Sequence, residues 1–288
     1  MITPEKFNKI VAKLPQDKTE LAKVELSVAD DLGIDSAYMS IPCNSTITLT
    51  ATISGVTDSA VTVALSTSGT ATEGTDYGTI SDITISAGAT TGTATLDPTD
   101  DNVYEGDETA VIDISGVSGK SGVTENSTQQ VSVTISENES EPTVTLATSA
   151  TSIAENAGTS LTLTATLSVA TTADVTVALS TSGTATEGTD YTDGSGNIDD
   201  IVISAGSTTG TLSFTPTNDS LYDAASDETA TIAISGVSGG SASESGSQSV
   251  TITITDDDSA PTVTLAASST SIAENSSSTI TLTATLSN

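Results

Sequence analysis

The sequence predicts an all-β chain of tandem antiparallel β-sandwiches that follow a short N-terminal helical segment. Three observations favour this fold. Apolar residues alternate with threonine over many short stretches, as in "TSLTLTATLS", and this period of two is typical of strands with one buried face. Turn-forming stretches such as "SAGSTTG" and "SGVSGG" separate the strands. Long passages also recur along the chain, so the strands are organised as repeated domains.

Residues 1–22 differ from the rest of the chain. In "TPEKFNKIVAKL", Thr3 is a candidate N-cap, Pro4 occupies the first helical position, and the apolar residues have helical spacing. Five of the six lysines fall in the first 23 residues, although the whole chain has a formal net charge of −32. We expect a basic amphipathic helix that either anchors the chain to a partner structure or caps the first domain.

Two complete sandwiches are predicted, at residues 23–140 and 141–259. "AVTVALSTSGTATEGTDY" at 60–77 returns as "DVTVALSTSGTATEGTDY" at 174–191. Each copy holds about seven short strands with no helical pattern between them, which is the usual content of an antiparallel sandwich. Within the repeated "GTDY", the aspartate and tyrosine are expected to fix a turn and a corner. Two other tyrosines, Tyr104 and Tyr222, are expected to fill the cores.

Residues 260–288 begin a third repeat. "EPTVTLATSATSIAEN" at 141–156 returns there as "APTVTLAASSTSIAEN", and the repeat stops at "TATLSN" after its first strands. Two strands cannot bury a core alone. We expect this segment either to belong to a longer array or to complete a neighbouring subunit by strand addition.

The repeats resemble Calx-beta domains, which are Ig-like sandwiches of sodium–calcium exchangers, some integrins and many bacterial surface proteins. The resemblance rests on "SIAEN" before the second strand, "GTATEGTDY" after the third, the acidic loop "YEGDE" and the closing "DDD". These motifs occur in one order and cover residues 23–288. The resemblance implies a calcium site at one end of each sandwich, built from three loops.

The implied calcium ligands are almost all carboxylates. In the second sandwich they are Glu155, Asp219, Asp223, Asp227, Glu228, Asp256, Asp257 and Asp258. In the first sandwich they are Asp100, Asp101, Glu105, Glu108, Glu137, Asn138 and Glu139. Glu274 is the corresponding residue of the third repeat. In the first sandwich Cys43 stands where the motif has its glutamate, so we expect weaker calcium binding there.

The composition supports calcium independently. Ca²⁺ takes six to eight hard oxygen ligands, and the chain has 38 acidic residues, no histidine and one cysteine. A zinc site and a Ser-His-Asp or Cys-His catalytic arrangement are therefore not expected, and no catalytic residue is predicted. The negative charge disfavours nucleic acid and anionic membranes as partners. No apolar run is long enough to cross a bilayer, and the N-terminus lacks a secretory signal pattern.

Two functions from different classes fit this description. The first is a non-enzymatic, calcium-stiffened stalk or adhesive protein, extracellular or at a bacterial cell surface and exported without an N-terminal signal. The alternative is a structural subunit of a filament or virion appendage, which the N-terminal segment attaches to other subunits. In both, Asp256 to Asp258 would act at the junction between sandwiches, with calcium ions as partners.

Overall fold

The structure is a computed structural model that describes residues 23–29, 38–42, 46–222 and 227–287. The predicted N-terminal helix of residues 1–22 lies outside the described residues. The described chain is built from β-strands and one short 3-10 turn, which confirms the predicted all-β fold. None of its described helical segments is long and apolar enough to span a membrane. The chain divides into two compact units, while the predicted boundaries at residues 140 and 259 stay predictions.

The first unit comprises Met1–Asp101 and Gly106–Asn138. Its strands form two sheets with the orders β6-β3-β1-β9 and β2-β10-β8-β4-β5. The strands are β1 (Lys23–Ala29), β2 (Tyr38–Pro42), β3 (Ile47–Ile53), β4 (Val61–Gly69), β5 (Ile83–Ile85), β6 (Thr91–Leu96), β8 (Glu108–Ser118), β9 (Thr124–Glu125) and β10 (Gln130–Ser136). The short strand β7 (Val103–Tyr104) lies in the sequence between β6 and β8 but is counted with the second unit.

The second unit comprises Asn102–Glu105 and Glu139–Asn288. Its two large sheets have the orders β16-β18-β13-β11-β20 and β12-β21-β19-β15-β17, and two small sheets pair β14 with β7 and β22 with β23. The strands are β11 (Thr143–Thr148), β12 (Ser152–Ala154), β13 (Leu161–Leu167), β14 (Ala170–Thr171), β15 (Val175–Gly183), β16 (Tyr191–Thr192), β17 (Ile201–Ile203), β18 (Thr209–Pro216), β19 (Glu228–Ser238), β20 (Ser243–Glu244), β21 (Ser249–Thr255), β22 (Val263–Ala267) and β23 (Leu282–Leu286).

Each sandwich has its own core, made by the alternation seen in the sequence. In β3, "ITLTATI", Ile47, Leu49, Ala51 and Ile53 are buried and the intervening threonines face outward. They pack with buried residues of the opposing sheet, including Val63. The second sandwich repeats this arrangement. Fully burying each large aliphatic side chain contributes about 1.5–3 kcal/mol, so these two alternating patterns are the main stabilising features of the units.

The repeated "GTDY" forms the predicted corner. Tyr77 and Tyr191 are both 1% exposed, and the ring of Tyr191 stacks on Phe214 with centroids 4.8 Å apart. The preceding aspartate closes the turn, since the Asp190 carboxylate accepts a hydrogen bond from the Thr186 N–H at 2.6 Å. Burial raises the pKa of Tyr191 above its usual value of 10. The corner is therefore an architectural feature, as the sequence predicts.

Candidate metal centre

One end of the second sandwich is defined by two strands that finish side by side. β12 pairs with β21 in parallel, with Ala154 opposite Thr255. Glu155 directly follows the first strand and begins a 3-10 turn (Glu155–Ala157). Asp256 directly follows the second. Because parallel partners leave the sheet in the same direction, the pairing brings Glu155 and Asp256 to the same end of the domain.

Three carboxylates meet at this end. Glu155, Asp256 and Asp258 each place one carboxylate oxygen within 4.8 Å of the other two. Asp258 is turned back towards Asp256 because its backbone N–H donates to Asp256 Oδ1 at 2.8 Å. We call Glu155, Asp256 and Asp258 the carboxylate group. Two of its residues come from "DDD" and one from "SIAEN", so the group joins motifs that are far apart in the sequence.

Glu155 has the most unusual environment of the three. Its side chain is only 7% exposed, and its Oε1 atom is buried without a hydrogen-bond partner among the described residues. Burial raises the pKa of Glu155; a hydrogen bond from the backbone N–H of Asp219 opposes this effect, and the charges of Asp256, Asp219 and Asp257 raise the pKa further. A buried acceptor without a partner destabilises the folded state. A cation placed against Oε1 would offset that cost.

These residues fit calcium. The donors are all carboxylate oxygens, which are the hard ligands that Ca²⁺ prefers. Two oxygens bound to one ion at about 2.4 Å lie at most about 4.8 Å apart, so the spacing within the carboxylate group allows a common ion. The unsatisfied Oε1 of Glu155 is a further feature that a cation would satisfy. Ca²⁺ would add a compact double positive charge among these carboxylates.

The other predicted ligands of the second sandwich lie outside the carboxylate group. Asp257 accepts a hydrogen bond from the Asn156 amide, and the carboxylate of Asp219 accepts one from the Leu221 N–H at 2.6 Å. Asp227 is exposed and Glu228 starts β19, and neither belongs to the carboxylate group. Asp223 lies outside the described residues. These residues stay predicted ligands, to be tested beside the carboxylate group.

Glu274 lies apart from any such group. It follows the second copy of the "SIA" sequence and is exposed. Among the described residues, no cluster of three carboxylates forms around Glu274. Its assignment as a ligand stays a prediction.

The predicted loops of the first sandwich are tied together by hydrogen bonds. The amide of Asn138 donates to Asp100 Oδ1 at 2.9 Å. The Gly106 N–H donates to Glu137 Oε2 at 2.8 Å, and the Glu137 N–H donates to Asp107 Oδ1 at 2.9 Å. The acidic loop before β8 is therefore fastened to the segment that follows β10.

The first sandwich also contains a carboxylate that the sequence analysis assigned only to a turn. Asp76 accepts a hydrogen bond from the Thr72 N–H at 2.6 Å, and a carboxylate oxygen of Asp76 lies within 4.8 Å of one of Glu108. The signal that could have identified it is its recurrence as Asp190 in the second "GTDY". Three more predicted ligands, Asp101, Glu105 and Glu139, stay predictions, and Cys43 lies outside the described residues.

The family model described as "Calx-beta domain" matches residues 43–139 and 137–258. No curated protein matches the chain significantly. Among solved structures, the chain is similar to CBD12 from CALX1.2, with 20% identity over 71% of this chain and 79% of that one and a TM-score of 0.31.

Two further solved structures are similar. The Calx CBD1 domain in its apo form has 19% identity over 40% of this chain and 99% of that one, with a TM-score of 0.31. The adhesin InvE of Yersinia pseudotuberculosis has 14% identity over 80% of this chain and 58% of that one, with a TM-score of 0.32. The two family matches together span well over half of the sequence, and the chain therefore belongs to the Calx-beta domain family, of which it carries two copies in tandem.

Proposed function

We propose that this chain is a non-enzymatic structural protein whose sandwiches bind Ca²⁺ and are stiffened by it. The observation that carries the proposal is the environment of the Glu155 carboxylate. A buried carboxylate with an unsatisfied oxygen, held within 4.8 Å of two other carboxylates, is costly in the absence of a cation. Membership of the Calx-beta family supports calcium as that cation.

The chain's own residues would make the binding stiffen the domain. Without a cation, the negative charges of Glu155, Asp256 and Asp258 repel one another and favour separation of the loops that carry them. Both loops are direct continuations of β12 and β21, so closing the carboxylate group also holds the ends of these strands together. Binding to the folded state alone stabilises it by about 2.7 kcal/mol at a hundredfold excess of ligand over Kd.

We infer further that the chain acts as a stalk or adhesive protein outside the cell or at its surface. Two sandwich domains in tandem give the chain the organisation of a spacer. A net charge of −32 keeps such a spacer from sticking to nucleic acid and anionic lipid. The chain would then contact calcium ions and other protein subunits, the latter through residues 1–22.

The second candidate is a filament or virion-appendage subunit. It is favoured by the concentration of five of the six lysines in the first 23 residues, which gives one end of an acidic chain a different surface. In this candidate, residues 1–22 attach the protein to a larger structure and the sandwiches project from it. Loss of attachment after removal of those residues would support this anchoring role.

Calorimetry and mass measurement test calcium binding. We expect native mass spectrometry of the purified chain to show bound calcium ions at millimolar Ca²⁺. We expect the unfolding temperature to rise in calcium relative to chelator, because the ion binds only the folded carboxylate group. Magnesium at the same concentration is the control for ionic strength and for divalent charge. Equal unfolding temperatures in calcium and chelator, with no calcium adducts, would contradict the proposal.

A further inference from the structure

A cleft opens beside the carboxylate group of the second sandwich. It has a volume of about 390 Å³ and lies between the 3-10 turn at Glu155 and the end of β18 at Thr215 and Pro216. Among the described residues that line it, Glu155 is the only charged one, and the others are glycine, proline and residues with hydroxyl or amide groups. We call this feature the Glu155 cleft. Glu155 therefore belongs both to the carboxylate group and to the cleft.

The lining of the Glu155 cleft offers hydrogen-bond acceptors. The Oε1 atom of Glu155 is buried and has no hydrogen-bond partner among the described residues. The hydroxyl oxygens of Ser160 and Thr215 lie 2.7 Å apart in the wall of the cleft, and each can accept a further hydrogen bond. A primary ammonium group has three N–H donors and no acceptor. Its hydrogen-bonding groups therefore match those of the lining.

The surrounding charges favour a cation over a neutral ligand. The negative charges of Asp256, Asp219 and Asp257 act on Glu155. A neutral ligand would leave the buried charge of Glu155 uncompensated. A cationic side chain would compensate it, and the negative field of the neighbouring carboxylates would attract such a side chain to the cleft.

The basic side chains of the sequence are six lysines, which differ in their surroundings. Lys120 is already paired, since its Nζ atom lies 2.6 Å from Asp58 Oδ1 in the first sandwich. Lys23 is the first residue of β1. The other four lysines fall within residues 1–22. This segment is therefore the main source of ammonium groups that the chain itself offers to an acidic cleft.

The spacing of these lysines places three of them together. Lys6, Lys9 and Lys13 are separated by three and four residues, so they share one face of the predicted helix. Lys18 is five residues beyond Lys13 and falls on a different face. The predicted helix would thus present a row of three ammonium groups, any of which can enter a cleft lined by one carboxylate.

We propose that the Glu155 cleft binds a lysine ammonium group of residues 1–22 in the absence of calcium, and that Ca²⁺ releases the segment. The inference rests on the proposed calcium site and on the proposed attachment role of residues 1–22, and it names the surface that receives them. Lysine and calcium exclude each other because both need Oε1 of Glu155. Ca²⁺ carries two charges and takes several carboxylate oxygens, whereas an ammonium group carries one charge, so Ca²⁺ displaces the lysine.

A fluorescent peptide of residues 1–22 tests the docking. Its anisotropy is followed as the full 288-residue chain is added in chelator at low ionic strength. We expect saturable binding that millimolar Ca²⁺ weakens by about tenfold or more. Millimolar Mg²⁺ controls for ionic strength and should weaken binding by less than about threefold, because Mg²⁺ keeps several of its water ligands.

Substitutions in the peptide and in the chain identify the two sides of the contact. Replacing Lys6, Lys9 and Lys13 of the peptide together by glutamine should weaken binding by about tenfold or more, and Lys18→Gln by less than about threefold. In the chain, Glu155→Gln should weaken binding by about tenfold. Asp199→Asn removes the same charge from an exposed position outside the cleft and should have an effect of less than about threefold.

Carbodiimide cross-linking of the full chain in chelator locates the contact in the protein itself, because this reagent joins carboxylates to amines that touch them. We expect amide bonds from Lys6, Lys9 or Lys13 to Glu155 or to its neighbour Asp219, and we expect calcium to suppress them. A mixture of isotope-labelled and unlabelled chains distinguishes a segment of the same copy from one of a neighbouring copy.

Three results would overturn the proposal. The first is the absence of both peptide binding and cross-links in chelator. The second is an equal loss of binding in Glu155→Gln and Asp199→Asn, which would indicate general attraction to an acidic surface. The third is peptide binding that persists in calcium while native mass spectrometry shows the ion bound. Glu155-dependent peptide binding by a chain that takes up no calcium would support the docking and contradict the calcium site, so the two failures are distinguishable.

Discussion

The side-chain amide of Asn156 donates a hydrogen bond to Asp257 Oδ2, 101 residues further along the chain. Each of these residues directly follows a member of the carboxylate group, Glu155 and Asp256 respectively. The bond therefore joins the two loops on which that group depends. The candidate calcium site is held by the pairing of β12 with β21 below it and by this contact beside it.

Replacing Glu155 by glutamine should separate the destabilising effect of its buried charge from its contribution to calcium binding. We expect Glu155→Gln to raise the unfolding temperature in chelator, because it removes a buried negative charge from among Asp256 and its neighbours. In calcium, the variant should lose most of the stabilisation seen in the unsubstituted protein, because one ligand charge is gone. Calorimetry in chelator and in calcium measures both effects.

Asp199→Asn is the matched control for this substitution. Asp199 is exposed and lies outside the carboxylate group, so the same loss of charge there should leave the calcium response unchanged. A Glu155→Gln protein with the full calcium response would show that the ion binds elsewhere.

Gly183 should not tolerate a side chain. Its φ is +127°, and a Cβ atom there would lie 2.0 Å from the Thr229 carbonyl oxygen of the adjacent strand. We expect Gly183→Ala to destabilise the second sandwich by about 3 kcal/mol, through unfavourable backbone geometry and displacement of β19. Chemical denaturation followed by circular dichroism would measure the loss.

Gly55→Ala serves as the comparison, because a Cβ atom at Gly55 meets nothing within 4 Å. We expect that change to alter stability by about 0.5 kcal/mol or less. If the two alanine variants were equally stable, the close approach at Gly183 would not constrain the fold.

Asp193 should make stability depend on acid pH. Its Oδ1 atom accepts hydrogen bonds from Ser195 N–H at 2.7 Å, from the Ser195 hydroxyl and from Gly196 N–H. These bonds hold the pKa of Asp193 below its usual value of 3.8, with the Ser195 backbone making the largest contribution. The folded state then binds this proton less readily than the unfolded state, so the stabilisation is present above 3.8 and is lost as pH falls through the folded pKa.

The corresponding variant is Asp193→Asn, which cannot titrate. The stability difference between the unsubstituted protein and Asp193→Asn should be largest near neutral pH and should shrink below pH 3.8. Urea unfolding at a series of pH values measures this difference. A difference that stays constant over the acid range would rule out the charged turn as its source.

Removing residues 1–22 should leave the sandwiches folded, because the described core residues of the two sandwiches, from Leu26 onward, pack with one another. If this segment is the attachment site, the shortened protein should keep its unfolding temperatures. It should no longer be incorporated into the larger assembly that contains the full chain. Co-sedimentation compares the two. Unchanged incorporation of the shortened protein would remove the segment as an anchor.

Much of the fold is predictable because the strand pattern is local. Alternation in "ITLTATI" alone identifies Leu49 and Ile53 as buried, since successive side chains of any strand point to opposite faces. The motifs of the repeat also identified Glu155 and the triplet Asp256 to Asp258 as candidate ligands. The local pattern does not identify the partner of a loop residue. For this reason Tyr222 was expected to fill the core, and that expectation is wrong, because Tyr222 is 37% exposed.

The sequence by itself determined that this chain is a series of β-sandwich repeats rich in carboxylates, because a period of two and a recurring motif are properties of neighbouring residues. Only the tertiary structure decided which carboxylates meet. Glu155 and Asp256 come together because β12 and β21 pair in parallel, and Asp76 approaches Glu108 because the "GTDY" turn folds towards the start of β8. Distances between loops depend on the order of strands in a sheet, and that order is set by the packing of the whole domain.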